Sequence, residues 1–189
     1  MNALTECGLP GIERIPYGLH ACHFYASREA LVEALVPYFM AGLRNNERCL
    51  WVTAPPLPAE EASRAIDREM PGALGALASG ALRITDFDSW YTGGDVVQAW
   101  LEEEKRALAE GFSGLRITGN TSFLHGSDFA AFMEYERAVS AGFHGRRIVA
   151  LCSYSLELCT AQQVIEATRA HPCSLDRHGA EWALLSGRG

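Results

Sequence analysis

From His20 onward, short apolar runs alternate with longer segments in which apolar residues recur three and four positions apart. His20–Tyr25, Cys49–Thr53, Ala81–Thr85, Leu115–Thr118 and Arg147–Cys152 read as strands. Helix patterns lie between them: one opening at Ser27, then Ala59–Met70, Asp95–Glu110, a segment that Ser127 can cap, and Thr160–Ala170. Strands this apolar need cover on both faces, and intervening helices supply it. The alternation predicts an α/β fold, a three-layer α/β/α arrangement around a mainly parallel sheet. A last strand is expected near Trp182–Leu185. Residues 1–17, rich in Gly and Pro, read as a loose lead-in, and 18–189 as one domain long enough to bury a substantial core.

Local signals sharpen the pattern. Ser27 can accept from an orphan N–H of the first helical turn. Leu31, Leu35 and Phe39, with Ala34 and Tyr38 beside them, mark the core face of that helix. Pro37 in its middle removes a hydrogen bond, at a cost of roughly 3 kcal/mol unless a kink is wanted, so a bent helix ending at Gly42 is expected. Thr160 and Gln163 form a capping-box pattern. Gly72–Gly80 reads as a small-residue connection. Val97, Trp100, Leu101 and Leu108 are expected to face inward, and Glu102-Glu103-Glu104 to form a solvated face.

A net charge of −7, with Lys and Arg scattered, argues against direct nucleic-acid binding or an anionic membrane surface. No apolar run approaches the length of a membrane span, and the first residues lack a basic region followed by an apolar stretch. A cytoplasmic protein is expected, its six cysteines free thiols. No cofactor is expected and no metal-ligand spacing stands out, since no C-x-x-C is present. Neither G-x-x-x-x-G-K-[ST] nor G-x-G-x-x-G occurs, so the usual phosphate loops are missing. G-x-S-x-G and H-E-x-x-H are absent as well. The signatures of these enzyme classes are therefore missing.

In open parallel sheets, ligands bind beyond the carboxyl ends of the strands. That rule nominates Tyr25, Ser27 and Arg28, then Thr53, Asp86–Tyr91, Thr118–His125, and Ser153, Tyr154 and Glu157. Aromatic rings dominate this set, which suits a small, partly apolar ligand; rings that merely close the end of the core give the same pattern. His20 and Cys22 point to one face of their strand. With Cys152 at the end of another strand and His171 after the last long helix, they could gather a transition metal or act as redox-sensing thiols. His171 could equally cap the carbonyls of the helix before it.

The segment "GLHACHFYASREALVEALVPYFMAGLRNNERCLWV" resembles the opening of the MEDS family, the sensory domain named for methanogens, methylotrophs and the dichloromethane regulator. His20, Cys22 and Tyr25 fit its His-x-Cys-x-x-Tyr element. The family pattern continues with a helix carrying Pro-Phe, then Gly-Leu, then Gly-Glu before a strand. Pro37, Phe39, Gly42, Leu43 and Glu47 fit these, with Asn46 where glycine is usual. Arg116, Gly119 and Phe123 match a later segment in kind, while Asn120 and Phe123 depart from its commoner acidic or methionine and tryptophan choices. Tyr135-Glu136, Cys152-x-Tyr154 and His171-Pro172 match three more elements, so the resemblance spans roughly residues 18–179.

The resemblance implies a RecA-like or circadian-clock-ATPase-like domain with a degenerate phosphate loop, reused as a sensor in signal transduction or transcriptional regulation. It places a small ligand among His20, Cys22, Tyr25, Arg116, Asn120, Phe123, Cys152, Tyr154 and His171. The departures at Asn120 and Phe123 mean the ligand need not be that of better-known members. A regulatory partner in trans is expected, a histidine kinase, an anti-sigma factor or a DNA-binding regulator, and a homodimer is compatible. The competing readings are a degenerate nucleotide-binding protein with residual NTPase activity, a metal or thiol redox sensor using His20, Cys22 and Cys152, and an interaction scaffold.

Overall fold

The apolar runs of the sequence do pair as parallel neighbours. A computed structural model describes residues 3–90, 95–121 and 129–187. In chain order its elements are β1 (Leu4–Glu6), β2 (Arg14–Pro16), β3 (His20–Tyr25), α1 (Arg28–Arg44), β4 (Arg48–Thr53), α2 (Ala59–Glu69), α3 (Ala73–Ala78) and β5 (Leu82–Asp86). Then come α4 (Phe87–Trp90), α5 (Val96–Ala109), β6 (Leu115–Asn120), α6 (Phe129–Phe143), β7 (Ile148–Ser155), α7 (Ala161–Ala170), β8 (Cys173–His178) and β9 (Glu181–Ser186). Seven strands form one sheet in the order β5-β4-β6-β7-β3-β8-β9. Every pairing in it is parallel except β8 with β9.

Helices α1 to α3 cover one face, where Leu31, Leu35, Phe39 and Ile66 pack on Ala21, Trp51, Val149 and Leu151. Helices α5 to α7 cover the other, where Trp100, Val139 and Phe143 pack on Leu50, Ile117 and Ala150, and Met133 and Ala167 on Cys22 and Tyr154. The fold is the expected three-layer α/β sandwich. Because side chains alternate along a strand, parity assigns each residue to a face. His20, Cys22, Cys152 and Tyr154 point toward α6 and α7; Tyr25, Arg116 and Asn120 point toward α1.

The caps hold. Ser27 Oγ accepts from the Ala30 N–H at 3.1 Å, and Thr160 and Gln163 complete both halves of their capping box. Other expectations change. The lead-in contains the β1–β2 hairpin, and its Ile15 and Tyr17 are buried in the α1-side core. Helix α1 runs through Pro37 and past Gly42 to Arg44. Gly42 is there for space: a Cβ on it would lie 2.7 Å from Arg116 Cδ and from Cys49 Sγ. The short helices α3 and α4 and the strand β8 went unread in the sequence because each is brief and lacks a clear period. Glu103 and Glu104 are buried, not solvated, pairing with Arg48 and Arg106 and with Arg146, whereas Leu108 is exposed. Ser127 lies outside the described residues.

Candidate functional site

At the strand ends, only Ala26 and Ser27 separate β3 from α1. A loop this short cannot wrap a chain of phosphates, and Ser27 already takes the Ala30 amide of the first turn. Arg28 next to it donates to Glu29 and Glu61. Beside the loop lies a cleft of about 500 Å³ lined by Tyr25, Ser27, Arg28, Pro55, Pro56 and Leu158, among others. Tyr25 Oη donates to Asn120 Oδ1 at 3.2 Å, and Asn120 Nδ2 donates to the Ala54 carbonyl at 3.3 Å. The two residues brace the wall of the cleft. The size is that of an ordinary small-molecule site.

Arg116 is not part of it. This fully buried side chain stands near the start of β6, on the α1 side. Its Nε donates to Glu47 Oε2 at 2.5 Å, Nη1 to the carbonyls of Cys7 and Tyr38, and Nη2 to the Glu6 carbonyl and Thr5 Oγ1. A guanidinium has five N–H donors, and five protein acceptors meet it here. Thr5 Oγ1 and Tyr17 Oη donate to the other Glu47 oxygen at 2.6 and 2.7 Å. Burial and the Glu47 carboxylate push the Tyr17 phenol up to about 12, so it stays a donor. The expected ligand-holding role of Arg116 is thereby corrected: no N–H remains for a ligand.

The opposite face holds a second polar cluster. His20 opens β3, Cys152 sits on β7, and His171 follows the last residue of α7. Glu136 comes from α6, buried between them. His20 Nε2 lies 3.2 Å from Glu136 Oε2 and 3.2 Å from Cys152 Sγ. His171 Nε2 lies 3.6 Å from the same carboxylate oxygen, and Cys152 Sγ 3.8 Å from it. Tyr154 Oη donates to Glu136 Oε1 at 2.7 Å and fixes the carboxylate. Burial opposes the Glu136 charge, yet the hydrogen bond from His20 and the fields of the two imidazoles outweigh it and hold the carboxyl below its ordinary range. Burial, then Glu136, pushes the Cys152 thiol well up.

The tautomers follow from the partners. His171 Nδ1 faces the Ala167 carbonyl at 2.8 Å, so that nitrogen carries the proton. Burial lowers the His171 pKa to about 4, so near neutral pH its Nε2 is a bare lone pair. That atom is buried and has no hydrogen-bond partner. Ser140 Oγ donates to the Ala170 carbonyl and so receives its bond from His20 Nδ1–H at 2.8 Å, which turns the His20 Nε2 inward too. The two Nε2 atoms, one Glu136 oxygen and the Cys152 sulfur converge on a single point.

Of the nine residues expected to form one site, the structure gathers His20, Cys152, Tyr154 and His171, with Cys22 beside them among Met133, Tyr154 and Ala167. Tyr25 lines the strand-end cleft, on the other face of the sheet, and Asn120, hydrogen-bonded to it, borders the small cavity beside Glu136 and Cys152 instead. Phe123 lies outside the described residues. Glu136 escaped the sequence reading as a site residue, although its phase was visible. It falls three after Met133, four before Ser140 and seven before Phe143, on the inward face of α6.

The sequence pattern of the MEDS family, described as the MEthanogen/methylotroph, DcmR Sensory domain, matches residues 19–172. No curated protein matches the chain by sequence. Among solved structures, a KaiC-like protein from the hyperthermophilic archaeon Pyrococcus horikoshii is similar in fold, with a TM-score of 0.61 at 14% identity. The alignment covers 100% of this chain and 90% of the archaeal one. No helix among the described residues is long and apolar enough to cross a membrane. The chain belongs to the MEDS family of sensory domains.

Proposed function

From that membership, we propose that the chain is a non-enzymatic sensory module that takes up a small, partly apolar molecule in the strand-end cleft. The observation that carries the reading is the cleft of about 500 Å³ beside a β3–α1 loop that has lost the means to hold phosphate. Tyr25, Pro55, Pro56 and Leu158 supply apolar contact, and Ser27, Arg28 and Ser155 a few polar handles. Helix α1 starts at this cleft and passes, through Tyr38 and Gly42, over the buried Arg116. A ligand that binds one placement of α1 better than another shifts the population by its differential affinity and no more. The output passes to a regulatory protein partner, for which a histidine kinase, an anti-sigma factor or a DNA-binding regulator fits the family.

The KaiC-like fold favours one second reading, a retained nucleotide site. Native mass spectrometry of protein purified from its own host separates the two. A bound organic mass that is lost in Ser155→Trp, which fills the cleft, supports the sensor. Thermal stabilisation by millimolar Mg-ATP, lost in the same variant, overturns it in favour of the nucleotide.

A further inference from the structure

We infer that His20, Glu136, Cys152 and His171 form a transition-metal site of the zinc type, separate from the strand-end cleft. Their ligand atoms, Nε2, Oε2, Sγ and Nε2, all lie within 4.8 Å of one another. Zinc holds imidazole nitrogen and carboxylate oxygen near 2.0–2.1 Å and thiolate sulfur near 2.3 Å, so the edges of its coordination tetrahedron are about 3.3–3.6 Å. The separations of 3.2, 3.2, 3.6 and 3.8 Å already approach those edges. A small cavity of about 20 Å³ adjoins the cluster on the side of Glu136 and Cys152.

Two further features point to a cation. The His171 Nε2 lone pair is buried, faces a carboxylate oxygen and has no donor. Such an atom is costly unless something positive sits between it and its neighbour. The outer contacts are also those of a metal site, where each ligating histidine gives its other N–H to a protein acceptor. His20 gives it to Ser140 Oγ, His171 to the Ala167 carbonyl, and Glu136 is held by Tyr154.

One carboxylate and one thiolate make the site formally neutral around a dication, which suits a buried position. Binding releases the Cys152 thiol proton to solvent and involves no electron transfer. All four positions are filled by protein, as in closed, structural zinc sites, so the ion would hold β3, α6, β7 and the α7–β8 turn together. A surface groove lined by Ser140 and His171 offers a route inward.

The test uses the full chain, stripped with chelator and titrated with Co(II) and Zn(II). The expected result is one Co(II) per chain with a thiolate-to-cobalt charge-transfer band and the strong visible absorption of tetrahedral cobalt. Zn(II) displaces it and raises the Tm. Cys152→Ser abolishes the charge-transfer band, and Ser140→Ala, which touches no ligand atom directly, weakens binding about 10–100-fold. Cys159→Ser leaves the band unchanged. Because Cys152→Ser could disturb the fold, its circular dichroism is compared with that of Ser140→Ala. Absence of stoichiometric cobalt, or a charge-transfer band that survives Cys152→Ser, overturns the site. Cleft occupancy, read separately by mass, is unaffected by either outcome.

Discussion

Glu47 and Glu136 are both fully buried carboxylates, one on each side of the sheet, and their partners differ in kind. Glu47 meets a permanent cation and two hydroxyl donors, and Arg116 beyond it has an acceptor for every N–H. Glu136 meets two imidazoles and a thiol, and one imidazole nitrogen is left without a donor. A closed network of the first sort is a structural device with nothing left to bind. An open one of the second sort leaves an acceptor for a cation such as the zinc-type ion inferred above. The difference in satisfaction, not in burial, separates scaffold from site.

The largest effect should come from breaking the closed network. Glu47→Gln leaves Arg116 charged and buried, and a guanidinium cannot be deprotonated, so unfolding in urea should show a loss of about 3–5 kcal/mol. A titratable group outside both networks provides the next test. Burial lowers the His23 pKa to about 4, with Ser153 Oγ 3.3 Å from its Nδ1. The unfolded chain binds a proton there below about pH 6.5 that the folded chain refuses. This contribution is therefore full above that pH and lost progressively toward pH 4, by about 3 kcal/mol at the limit. The slope of stability against pH in this window should flatten in His23→Gln.

A smaller effect is expected from Gly42→Ala, whose methyl would press on Arg116 and Cys49 and should cost about 1–3 kcal/mol of stability without altering cobalt binding. The smallest is expected from Glu136→Gln in chelator, within about 1 kcal/mol of wild type. Its amide can donate to the orphaned His171 nitrogen while its oxygen still accepts from Tyr154. Equal losses for Glu47→Gln and Glu136→Gln would erase the contrast between the two networks.

The layers of the fold were legible because strand runs and helix periods are local patterns, carried by consecutive residues and readable without their neighbours in space. The strand-end cleft was legible from the Tyr25–Arg28 loop for the same reason. Which of the nine residues share a site was less so. Strand parity separates His20 and Cys22 from Tyr25 within β3, but only the strand order and register put Cys152 and Tyr154 on the His20 face and Asn120 on the Tyr25 face. Arg116 resembled a ligand anchor because its five acceptors come from the β1–β2 hairpin, the Cys7 carbonyl just after β1, α1 and Glu47, and sequence spacing does not reveal that closure. Glu136 shows the reverse: its inward phase on α6 marked it as buried, and a buried carboxylate needs partners that only the fold supplies.

The most direct test of the contrast is the Tm of wild type, Glu47→Gln and Glu136→Gln, each measured in chelator and again with Zn(II). The account predicts that Glu47→Gln starts lower yet gains as much from zinc as wild type does, while Glu136→Gln starts near wild type and gains little. If Glu136→Gln keeps the full zinc response, or wild type has none, the open network is not a metal site and the distinction drawn between the two carboxylates is wrong.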